Sequence, residues 1–121
     1  MKKTVRILGT KYDVYLDVPE HKDTELAGRF GYCTPTQKKI VTVDLNTVDC
    51  WKDVTYYSKL VQSKITLRHE IIHAFLYESG LWGSSSESEH WALNEEMIDW
   101  IANQFPKISK VFRELGCDGE I

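Results

Sequence analysis

The apolar residues of this chain change their spacing once, near residue 54. Before that point they recur at every second position; beyond it they recur every three to four. A period of two belongs to a strand with one buried face, and a period near 3.6 to an amphipathic helix. Strands gathered first and helices gathered after them predict an α+β fold rather than alternating βαβ units. The 121 residues, 42% of them hydrophobic, suffice for one modest core, so a single domain over 1–121 is expected.

Residues 4–18, TVRILGTKYDVYLDV, alternate on both sides of Gly9, Thr10 and Lys11, which predicts a β-hairpin. The polar stretch 19–28 reads as a loop with room for one helical turn. A second hairpin is expected over 29–45, where RFGYC and KKIVTVDL flank TPTQ. Its strand Ile40–Asp44 fits an internal position or a sheet edge equally well. Residues 46–53 form a connection, with Asp53 as the expected N-cap of a helix over about 54–79.

Two apolar stripes mark that helix: Val61, Ile65, Ile72 and Leu76 on one side, Leu67, Ile71 and Ala74 on the other. A helix apolar on two sides is buried by its neighbours. Gly80 stands where a C′ glycine would end it. GLWGSSSES then reads as a loop or a flap over a cleft, and Ser86 with Glu89 as a capping box. The next helix is expected over 88–105, ended by Pro106, and a short last one over 107–115, stopped at Gly116.

The chemistry concentrates in RHEIIHAF. His69 and His73 lie four apart on the first helix, one turn from each other on one side. Two imidazoles so placed can meet one zinc ion at ~2.0–2.1 Å. Glu70, rotated by about 100° from His69, projects beside the pair as a general base. A further ligand must come from elsewhere. No third histidine follows in HxxGxxH spacing, and the three cysteines Cys33, Cys50 and Cys117 are poorly placed.

The acids Glu87, Glu89, Glu95, Glu96 and Asp99 therefore compete. On the expected apolar face of Trp91, Ile98, Ile101, Ala102 and Phe105, Glu95 falls at the edge and Glu96 another 100° away. A carboxylate facing a core is costly unless it binds a cation, which favours Glu95 as ligand. Asp99 then sits one turn on, as acceptor for a histidine N–H. His90, Tyr77 and Tyr56 are candidate oxyanion donors, with His90 preferred.

HEIIH followed by NEEMID resembles the gluzincin metallopeptidases, with Asn94, Glu95 and Asp99 filling an N-E-x-x-x-D pattern and Glu95 placed 22 residues after His73. From about Gly31 to Phe105 the arrangement is similar to the minimal ImmA/IrrE-type and SprT-like proteins, frequent in phages and mobile elements. The resemblance implies a small zincin-like domain that hydrolyses peptide bonds with a metal-activated water. It also implies a protein or peptide substrate, such as a repressor or regulator.

Other features bound that reading. The net charge of −3, with Lys+Arg 15 against Asp+Glu 18 and no basic block, points away from nucleic acid and from SprT-like work on DNA. No apolar run is long enough for a membrane span, and Arg6, Lys11 and Asp13 interrupt any signal sequence after MKK. Three widely spaced cysteines suit a reducing compartment, so the cytoplasm is expected. The alternative from another class is a non-catalytic zinc-binding interaction protein of a phage or mobile element, but such a structural site would need no Glu70.

Overall fold

The computed structural model describes residues 1–81 and 95–119; within 95–102 it describes the side chains of 97, 100 and 101 only. The expected first hairpin is present as β1 (Lys2–Ile7) and β2 (Thr10–Val18), paired antiparallel with Ile7 opposite Thr10. Its turn is tighter than expected. Leu8 and Gly9 alone make it, at φ +49° and +85°. Two successive positive φ values give the type I′ geometry whose twist matches a two-residue hairpin. The loop that follows carries two short 3₁₀ turns, Glu20–Lys22 and Thr24–Leu26.

The second hairpin is β3 (Gly31–Thr34) and β4 (Lys39–Val43), joined through a 3₁₀ turn at Pro35–Gln37. The four strands lie in the order β1-β2-β4-β3, with β2 and β4 parallel and the other neighbours antiparallel. Thus β4 is internal, and an edge position for residues 40–44 is ruled out. The reason is visible in IVTV, where Ile40, Val41, Thr42 and Val43 are all buried. Ile40 joins the core under the helices and Val41 the one on the opposite face of the sheet. A strand covered on both faces reads as a continuous apolar run, not as an alternation.

Helix α1 spans Tyr56–Glu78. Its N-cap is Thr55 and not Asp53: the Thr55 hydroxyl accepts from the Ser58 N–H at 3.2 Å. Gly80 ends it as expected, at φ +83°, with its N–H on the Tyr77 carbonyl. Only the second of the two expected stripes is fully buried. Leu67, Ile71, Ala74 and Phe75 enter the core, whereas Ile65 of the other stripe is 46% exposed.

The last two expected helices are one. Helix α2 is described from Glu95 to Glu114 and passes through Pro106. Proline removes one backbone hydrogen bond but does not force an end where packing holds both sides. Here Trp100 before it and Ile108, Val111, Phe112 and Leu115 after it pack into the same core. A Schellman arrangement closes the helix: Gly116, at φ +69°, donates to the Arg113 carbonyl, and Cys117 donates to that of Phe112.

The edge strand β3 presses against α1. A Cβ at Gly31 would stand 2.7 Å from the Val41 carbonyl oxygen and 2.8 Å from Thr66 Cγ2. Gly31→Ala is therefore expected to destabilise the domain by about 1–3 kcal/mol, read as a lower denaturant midpoint. The Lys38 ammonium, at the end of the β3–β4 connection, clips onto Glu78 at 2.5 Å and ties that turn to the C-terminal end of α1.

Candidate metal centre

Helical geometry delivers the two histidines as the spacing predicts. On α1 the Nε2 atoms of His69 and His73 face each other at 3.0 Å, with ring centroids 4.6 Å apart and the rings nearly perpendicular. Two nitrogens bound tetrahedrally at ~2.0–2.1 Å to one ion stand ~3.3 Å apart, so a small adjustment of side chains seats a zinc-sized cation. Two protonated imidazoles would repel at this distance; a shared proton or a cation between them resolves it.

Glu70 completes the cluster. One ligand atom from each of His69, Glu70 and His73 lies within 4.8 Å of the others. Unlike the exposed His69, Glu70 is 7% exposed, on the side of α1 that carries Thr66 one turn earlier and packs on β3. Burial pushes its carboxyl above the ordinary glutamate range, while the charges of His69 and Arg29 pull it back. Burial also lowers the pKa of His73, with His69 acting in the same direction. Both shifts favour uncharged side chains, which for His73 keeps a ring nitrogen available as a ligand lone pair.

Other elements hold the cluster in place. Arg68, just before His69, donates from one guanidinium nitrogen to the carbonyls of Cys117 at 3.1 Å and Gly119 at 2.8 Å, lashing the middle of α1 to the C-terminal segment. The Trp100 indole N–H reaches Ser79 Oγ at 3.1 Å and fixes α2 against the end of α1. Two neighbours carried no recognisable sequence signal. Arg29, from the segment leading into β3, acts electrostatically on Glu70, and Glu70 in turn acts on Cys33 of β3. Burial, Glu70 and Glu78 together push the Cys33 thiol to about 12, so it stays protonated at neutral pH.

The expected acids and donors divide differently. Glu87, Glu89, His90, Trp91 and the Ser86 capping box lie outside the described residues, as do the side chains of Glu95, Glu96 and Asp99. Of the expected apolar face of the second helix, Ile101 and Phe105 are exposed and the other members' side chains lie outside the described residues; the described buried stripe runs through Ile108 and Val111. The phase argument that separated Glu95 from Glu96 thereby loses two of the residues it was drawn from. Tyr56 is no oxyanion donor, being 80% exposed at the start of α1 and ~20 Å of helix from His69. Tyr77 lies one turn beyond His73 on the histidine side, its ring 4.9 Å from the Lys38 ammonium.

No protein-family model, curated protein or solved structure matches the chain. The donor set itself, two imidazoles and a buried carboxylate on one helix, is compatible with a divalent metal such as zinc.

Proposed function

We propose that this chain is a zinc-dependent metallopeptidase of the gluzincin kind, related in plan to the minimal ImmA/IrrE-type and SprT-like enzymes. The observation that carries the reading is the pair of Nε2 atoms 3.0 Å apart with Glu70 buried beside them. His69, His73 and Glu95 would hold the metal, with Asp99 accepting a histidine N–H. Zinc, when bound, supplies Lewis acidity toward water and the scissile carbonyl.

Glu70 takes a proton from the attacking water and delivers it to the leaving amine. A carboxyl raised by burial suits both halves of that task, since it is a stronger base than an exposed glutamate and a competent acid afterwards. Tyr77, or His90, donates to the oxygen that gains charge. Substrate alignment falls to the free edge of β3. Phe30 bonds Val43 in the ladder, so by alternation the backbone groups of Gly31 and Cys33 turn outward beside α1. An extended peptide added there runs past Glu70. The substrate class in this reading is a protein or peptide, with a repressor or regulator of a phage or mobile element as the natural kind.

Elemental analysis and turnover of an unstructured protein test this together. The chain is expected to hold about one zinc and to lose cleavage on chelation, with recovery when zinc is restored. Glu95→Ala should lose the metal and Glu96→Ala keep it. The reverse result would reassign the ligand, and a chain that never holds zinc would end the proposal.

A further inference from the structure

Among the described residues the sheet has a second free edge, on the side away from the metal centre. Strand β1 is outermost, three strands from β3, or ~14 Å at ordinary strand spacing. The tight turn closes with Ile7 bonded to Thr10, and Met1 bonds Leu16, so the odd-numbered residues of β1 spend their backbone groups on β2. By alternation the N–H and C=O groups of Lys2, Thr4 and Arg6 turn outward. Beside them runs a groove of about 810 Å³ between β1 and α2. The buried Phe75 and Val111 lie beneath it, Arg6 lines it from the strand, and the exposed Lys107 and Lys110 make its helix side cationic. Glu114 is the single acid among the described lining residues, and it sits 3.8 Å from Lys110.

We propose that this groove docks an extended, acidic segment of a partner protein as an added strand on β1. The backbone groups of Lys2, Thr4 and Arg6 would pair with the segment, and every second side chain of it would point toward α2. Carboxylates on that side would meet Lys107 and Lys110 across the groove. Charge complementarity selects the partner: the rim is positive on a chain whose net charge is −3. Edge lysines commonly serve only to discourage strand pairing between copies. That role needs charge on the strand alone, whereas here two of the cations come from α2 across the groove.

A fluorescein-labelled heptapeptide of alternating valine and glutamate is the probe, with its lysine-for-glutamate counterpart and a single-stranded oligothymidine as comparisons. The acidic peptide is expected to bind, more weakly as salt rises, and to protect the Thr4 and Arg6 amides from hydrogen exchange. Lys107→Glu combined with Lys110→Glu should weaken it roughly tenfold or more and leave zinc content unchanged, both lysines being exposed. Equal binding of the two peptides, no binding at all, or unprotected Thr4 and Arg6 amides would overturn the proposal. Tighter binding of oligothymidine, lost in the same double variant, would overturn it in favour of nucleic acid.

Discussion

Glu70→Gln is expected to leave about one zinc per chain and to reduce peptide hydrolysis by roughly 10²–10⁴-fold. Glutamine keeps the shape and hydrogen-bonding reach of glutamate but cannot accept the proton that the reaction must move. Because burial already disfavours the charged carboxyl, the variant is also expected to be at least as stable as the parent when free of metal. Activity and stability then move in opposite directions, which is the signature of a residue kept for chemistry. Parallel measurement of zinc content, turnover and melting temperature checks this. Full zinc with unchanged turnover would remove Glu70 from the mechanism. Full zinc, no turnover in either protein and unchanged biological activity would favour the non-catalytic zinc-binding interaction protein.

His73→Ala should abolish zinc binding and the stability linked to it. A ligand at a thousand times its dissociation constant stabilises the native state by ~4 kcal/mol, which for a chain of this size corresponds to a rise of ~15 °C in melting temperature. The parent should show that rise on zinc addition and His73→Ala should not. In its metal-free form the variant should melt close to the parent, since His73 is only half-buried and leaves no large core cavity. A zinc-dependent rise that survived in His73→Ala would show that the two imidazoles do not share an ion.

The hairpins, the first helix and its glycine stop were legible because each depends on neighbours in the chain. Leu8 and Gly9 close a two-residue turn, and Gly80 takes a left-handed conformation that glycine accepts without strain. The HExxH geometry was legible for the same reason, as two residues four apart on a helix must face one way. Pro106 misled because its local cost was weighed without the packing of Trp100, Ile108 and Val111 that overrides it. Ile101 and Phe105 were placed on a buried face for a related reason: apolar residues on a surface look the same in a sequence as apolar residues in a core.

By itself the sequence determined the α+β order and the His69–Glu70–His73 cluster on one helix, and among the described residues no helix is long and apolar enough to cross a membrane. Tertiary structure alone decided that β4 is internal, that β3 and β1 are the outer strands among the described residues, and that Glu70 is buried with its pKa raised. The division is physical. Backbone geometry within a turn or a helix follows from residues a few positions apart, whereas strand order, burial and the electrostatic environment of a carboxyl depend on segments that meet only after the chain has folded.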